Sequence, residues 1–151
     1  ASLRTPAMAI QKKKSPTAPP PSDPLAAQAV RTIQRHAMLA PGDAVLVGDT
    51  LYLSGSTGGD PVSGQLVPGG LEPEMKQIMS NLQTVLAAAD MTLGDVVAVT
   101  VYLVDMAEFA RFNDLYRSYF PNGYPTRSTV AVKELARGAR LEITMTAVRS
   151  K

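Results

Sequence analysis

The chain contains no cysteine, and its single histidine is His36. Disulfides and thiolate nucleophiles are therefore excluded, and zinc sites built on sulfur go with them. One histidine leaves no Ser-His-Asp triad and no multi-histidine metal site, and His36 reads as a surface or loop residue. No apolar run approaches the roughly 18 residues of a transmembrane helix. Chemistry is left to Arg, Glu, Asp, Tyr, hydroxyls and backbone amides.

What is present is a chain of 151 residues with 45% apolar content, the size of one globular domain. Its charge is unevenly placed. Residues 1–22 hold Arg4, Lys12, Lys13 and Lys14 with no acid, whereas the remainder carries 11 basic and 13 acidic residues. The body has no basic surplus for gripping nucleic acid, which leaves only the tail able to bind phosphates non-specifically. Residues 1–24 also contain six prolines, too little apolar surface to offset ordering entropy, so they read as a disordered, basic, Pro-rich tail ahead of a domain at 25–151. With no apolar h-region the tail is not a secretory signal. Its Arg/Lys-rich, acid-free start suits the remnant of a mitochondrial or other organellar transit peptide; an ordinary disordered or appended tail, on a cytoplasmic protein, is the alternative.

From Pro24 to Met38, Leu25, Ala26, Ala29, Val30 and Ile33 suit a short helix starting at Pro24. Val45-Leu46-Val47 and Leu51-Tyr52-Leu53 flank Gly48-Asp49, a hairpin with a tight turn. Gly58, Gly59, Pro61, Gly64, Gly69 and Gly70 mark a long loop. Leu71, Met75, Ile78, Met79, Leu82, Val85, Leu86 and Ala89 then recur at three- and four-residue steps, an amphipathic helix burying one stripe. Val97, Val99, Val101 and Leu103 alternate with Ala98, Thr100 and Tyr102, and because both faces are fairly apolar this is a central strand. Phe109, Phe112, Tyr116, Tyr119 and Phe120 give a second helix ending before Pro121-Asn122-Gly123. Val130 and Val132, then Leu141, Ile143, Met145 and Ala147, supply the last two strands. The expected architecture is α+β, in the order β-β-α-β-α-β-β, with two helices packed on one face of a mixed sheet.

The chemistry-bearing stretch is Tyr124-Pro125-Thr126-Arg127-Ser128-Thr129-Val130, with Glu142 in the strand that follows. A guanidinium offers a rigid fork that holds a carboxylate by two parallel hydrogen bonds. A glutamate can move a proton or orient a water. The competing reading is a structural Arg127–Glu142 ion pair between neighbouring strands. Within the last strand Glu142, Thr144 and Thr146 face opposite to Leu141, Ile143 and Met145. With Tyr102 and Ala98 they leave the helix-free face of the sheet semi-polar.

Five ordered segments resemble the RidA/YjgF family of reactive-intermediate deaminases, also called endoribonuclease L-PSP-like. They are Gly48-Asp49-Thr50-Leu51-Tyr52-Leu53-Ser54-Gly55, the Met75–Ala89 helix with Asn81-Leu82, Asp95 through Met106, Phe112-Asn113-Asp114-Leu115-Tyr116, and Tyr124 through Ile143. Together they span residues 43–149. The resemblance implies a chorismate-mutase-like fold assembled as a homotrimer with sites in the clefts between subunits, and an edge strand at Val30–Gln34. It further implies that Arg127 binds the substrate carboxylate and that Glu142 positions or activates the hydrolytic water. Ser54, Gly55 and Asn113 fall where the family lines its pocket, and Thr129 falls where many members have cysteine.

The implied substrates are small 2-imino acids, hydrolysed to 2-keto acids and ammonia without metal or cofactor. A protonated imine is already electrophilic, so orientation and water placement suffice. The chain departs from the family at Ala40-Pro41-Gly42-Asp43, where many members carry a Gly-Pro-Tyr segment whose tyrosine lines the pocket; Tyr124 is the candidate to replace that ring. Losing one aromatic wall costs about 0.5–1.5 kcal/mol, less than the roughly 1.5–3 kcal/mol of a hydrogen bond to a charged group, so the retained Arg127 outweighs it. The alternatives are a non-catalytic subunit of a larger complex that keeps this fold, and an RNA-binding or RNA-cleaving protein.

Overall fold

The computed structural model describes residues 43–150. The tail, the Pro24–Met38 stretch with His36, and residues 40–42 of the altered loop lie outside the described residues. The elements are β1 Ala44–Val47, β2 Thr50–Leu53, α1 Leu71–Ala88, β3 Val96–Leu103, α2 Phe109–Arg117, β4 Thr126–Ala131 and β5 Leu141–Val148. This is the α+β order read from the sequence.

The strands form one sheet in the order β1-β2-β5-β3-β4, parallel only between β3 and β4. Gly48 adopts φ 60 at the tip of the first hairpin, a conformation in which a Cβ is penalised, and this lets Val47 pair with Thr50 across a two-residue turn. The parallel β3–β4 pair needs a crossover, and α2 supplies it.

Helix α1 buries Leu71, Met75, Ile78, Met79, Leu82, Val85 and Leu86 against one face of the sheet, with Glu72 and Glu74 in its first turn where the helix dipole favours acids. Fully burying side chains such as Ile78 and Leu86, both at 0% exposure, contributes about 1.5–3 kcal/mol each. The sheet answers with Leu51, Leu53, Val99, Val101, Leu103, Leu141, Ile143 and Met145, all buried. On α2, Phe112, Tyr116 and the following Phe120 form a stacked run, with ring centroids 5.5 and 4.9 Å apart.

Two details differ from the sequence reading. Val97 was expected to lead the core face of β3, but Val96 is the buried residue (6% exposed) and Val97 is 46% exposed. A register shift between Val96 and Ala98 opposite Ala147 and Thr146 inserts Val97 as an extra residue, which reverses the alternation there. Val130 was expected to anchor its strand, yet it is 44% exposed. It pairs with Tyr102, on the helix-free face of the edge strand, and the core face of β4 carries Arg127 and Thr129 instead.

Candidate active site

Register decides where the chemistry-bearing side chains go. Arg127 is paired with Val99 in the parallel β3–β4 ladder, so both project to the same face of the sheet, beneath α2. There the Arg127 Nη2 donates to Asn113 Oδ1 at 2.8 Å. Its guanidinium carbon lies 4.6 Å from the Tyr116 ring centroid, 5.3 Å from that of Phe112 and 5.8 Å from that of Phe109. Aromatic faces attract the cation without consuming its N–H groups. Among the described residues Asn113 is the side chain's only hydrogen-bond partner, so the rest of the donor fork is free for a ligand.

Arg127 opens into a groove of about 620 Å³ lined by Asn113, Tyr116, Arg117, Tyr124, Pro125 and Arg127, whose only ionised groups are the two guanidiniums. Such a lining selects anions. Tyr124 is 64% exposed at the rim, and Thr126 fixes the start of β4 by donating from Oγ1 to the Val97 carbonyl at 3.0 Å. Thr129, two residues beyond Arg127, shares its face. Among the described residues the Thr129 and Tyr116 hydroxyls are buried without a hydrogen-bond partner.

Glu142 lies elsewhere. It pairs with Tyr102 on β3 and projects to the helix-free face, opposite to Leu141 and Ile143. Its carboxylate makes no hydrogen bond or ion pair among the described residues. It packs over Gly55, where a Cβ would stand 2.5 Å from Glu142 Oε1. That contact is held by reciprocal backbone bonds, Ser56 N to Ile143 O at 2.8 Å and Ile143 N to Ser56 O at 3.0 Å. Ser54 is exposed beside it, its amide donating to the Asp43 carbonyl at 2.8 Å. Burial pushes the Asp43 carboxyl above the ordinary range.

The site residues thus fall into two groups. Arg127, Asn113, Tyr124 and Thr129 belong to the groove side; Glu142, Gly55 and Ser54 belong to the other face. The alternative of an Arg127–Glu142 ion pair between neighbouring strands is overturned, because β3 lies between β4 and β5 and the side chains leave opposite faces. Sequence reasoning placed Phe109, Phe112 and Tyr116 on a helix and missed their role beneath Arg127. The signal was the polar Asn113 on the same helical stripe. Among the described residues no group of three or more His, Cys, Asp or Glu could hold a metal ion.

The family described as Endoribonuclease L-PSP matches residues 32–149. A Bos taurus protein named 2-iminobutanoate/2-iminopropanoate deaminase is 42% identical over 121 residues, covering 80% of this chain and 88% of that one. A Homo sapiens protein of the same name is 42% identical over 106 residues, covering 70% and 77%. Among solved structures, RidA from an Antarctic Psychrobacter species superposes with a TM-score of 0.69 at 32% identity, covering 76% of this chain and 92% of that one. Escherichia coli TdcF with bound serine gives 0.68 at 32% identity, covering 72% and 87%.

Proposed function

The chain belongs to the RidA/YjgF family, and on that premise we propose that it hydrolyses small 2-imino acids to 2-keto acids and ammonia. The supporting observation is Arg127, whose guanidinium is stacked on aromatic rings and pinned at one nitrogen by Asn113, with its remaining donors open to an anion-selective groove. The deaminase names of relatives at 42% identity point the same way.

In this reading Arg127 holds the substrate carboxylate by its fork. Glu142 accepts a proton from a water as the water oxygen bonds to the imine carbon, giving a tetrahedral carbinolamine. That proton passes to the nitrogen, the carbon–nitrogen bond breaks with its electron pair on nitrogen, and ammonia leaves as the carbinolamine hydroxyl gives its own proton to Glu142 and the carbonyl forms. No redox change occurs.

Because Arg127 and Glu142 leave opposite faces of one sheet, a working site needs Arg127 from one copy and Glu142 from another. The helix-free face offers Tyr52, Val130 and Val148, all more than a third exposed, around Thr144 and Thr146. A homotrimer that buries this face against the β4 edge of the next copy would unite the two groups.

The test follows ammonia or keto-acid release from a freshly generated 2-imino acid, wild type beside Arg127→Ala. Acceleration by the wild type that is lost in a folded Arg127→Ala protein of unchanged oligomeric state supports the reading. Equal acceleration by both proteins overturns the role of Arg127, and no acceleration by the wild type overturns the deaminase.

A further inference from the structure

Most arginines in this fold are spent on the protein itself. Arg111 pairs with Glu72, Arg140 with Glu108, and Arg137 and Arg149 donate to the carbonyls of Gly64 and Ala89. Arg127 is pinned by Asn113. Arg117 differs: it is exposed, it lines the same groove as Arg127, and among the described residues its guanidinium makes no hydrogen bond or ion pair. Asp114, one turn earlier on α2, is the nearest acid along that helix, yet the two form no ion pair. As the cation in the last turn of α2, Arg117 also complements the helix dipole. That role needs a charge near the helix end, not a place in the lining of a cavity.

We propose that Arg117 receives a second carboxylate, carried on the side chain of a 2-imino acid whose first carboxylate is held by Arg127, and so sets a preference for dicarboxylic substrates. The inference rests on the reading of Arg127 as the carboxylate clamp. Asn113 and Arg117 are four residues apart on α2 and share a helix face, with Cβ atoms about 5–6 Å apart. Because Asn113 Oδ1 accepts from the Arg127 Nη2 at 2.8 Å, Arg117 stands one turn from the anchor of the clamp. The carboxylate carbons of a five-carbon diacid are four bonds apart, about 5 Å when extended, which matches that spacing. Tyr124 and Pro125 supply an apolar wall for the methylenes between the charges, and the lining contains no acid among the described residues to oppose the second carboxylate. A three- or four-carbon monoacid would leave Arg117 unengaged in a groove of about 620 Å³.

The experiment titrates 2-oxoglutarate and 2-oxopentanoate, keto acids of equal chain length with and without the second carboxylate. Calorimetry is run on full-length wild type, Arg117→Gln, Arg117→Lys and Lys133→Gln. The wild type should prefer the diacid by roughly fivefold, the upper end for an exposed ion pair, and the preference should shrink as salt is raised. Arg117→Gln should bring the ratio of affinities close to one, whereas Arg117→Lys, which keeps the charge, should retain part of it. Lys133→Gln removes one exposed charge outside the groove and should keep the wild-type ratio. The ratio of kcat/KM for the two corresponding imines should follow the same order. A role in helix stability would weaken both ligands together and leave the ratio in place.

Equal wild-type affinity for the two keto acids overturns the proposal, as does a preference that survives Arg117→Gln or falls equally in Lys133→Gln. Failure of the wild type to bind either keto acid overturns it together with the carboxylate clamp. If the wild type binds both but speeds the hydrolysis of neither imine, the deaminase reading falls alone, and the binding ratio in Arg117→Gln still decides Arg117.

Discussion

A single methyl group at residue 55 separates the role of Glu142 from the stability of the fold. Gly55 does not occupy the left-handed region, so alanine is compatible with its backbone, but the added Cβ would stand 2.5 Å from Glu142 Oε1 and 2.9 Å from Cδ. Ordinary contact begins at 3.4 Å, so the carboxylate must retreat by about 1 Å. The obstruction is the far end of a flexible side chain, and a forced rotamer costs about 0.5–1.5 kcal/mol. A misplacement of about 1 Å can lower a rate on the order of a hundredfold, equivalent to about 2.7 kcal/mol of barrier. Gly55→Ala should therefore unfold within a few degrees of the wild type yet lose most of its imine hydrolysis. The assay is keto-acid release beside a thermal melt, with Glu142→Gln and the double variant completing a cycle. If the methyl acts through Glu142, Gly55→Ala adds little to Glu142→Gln. A Gly55→Ala protein with kcat within about twofold of the wild type would refute the placement of the catalytic water at Glu142.

Gly58 makes the opposite case, because a Cβ there meets the Glu74 Cα at 2.8 Å, backbone of α1 that cannot swing away. Gly58→Ala should destabilise by about 1–3 kcal/mol, and an unchanged melting temperature would show that the loop yields. Glu74 supplies a pH test: it is 3% exposed, it accepts from the Arg140 amide at 2.9 Å, and burial pushes its carboxyl above the ordinary range. As pH rises from the ordinary glutamate range towards that raised value, the unfolded chain releases a proton the folded chain keeps, so this group makes stability fall through the interval. Glu74→Gln keeps an acceptor for Arg140 and should remove that slope, gaining on the wild type as pH increases from about 4. Urea unfolding across pH 4–7 decides it, and parallel curves for the two proteins would refute the assignment.

The order of elements was legible because periodicity reports burial directly. Leu71 to Ala89 steps by three and four, and Leu141 to Ala147 by two, and each pattern has one physical solution. The failures are properties of pairing. Val96 and Val97 are the same residue type, so the sequence offers two phases for β3, and only the bulge opposite Ala147 selects between them. Nor does the spacing from Arg127 to Glu142 state that β3 inserts between their strands. Gly58 read as loop punctuation and Gly55 as pocket lining by resemblance alone, whereas their lack of a Cβ is needed where the chain passes Glu74 and Glu142. The aromatic run read as a helix, and its Phe112 and Tyr116 are buried, but its edge also forms the floor under a guanidinium, a second use that hydrophobicity does not encode.

Dividing the site between two faces has a chemical rationale. An arginine and a glutamate on one face of adjacent strands would pair with each other, and a substrate carboxylate would then have to displace Glu142 from Arg127 before binding. Here neither group can reach the other within the chain. Arg127 is satisfied at one nitrogen by a neutral amide and on its face by rings, and the Glu142 carboxylate is left without a donor among the described residues. Both keep their hydrogen-bonding capacity. In the proposed assembly they would meet only across a cleft between copies, with the substrate between them, its carboxylate on the guanidinium and its imine carbon towards the glutamate. On this proposal, the separation that would leave one chain incomplete also keeps the clamp and the base from neutralising one another.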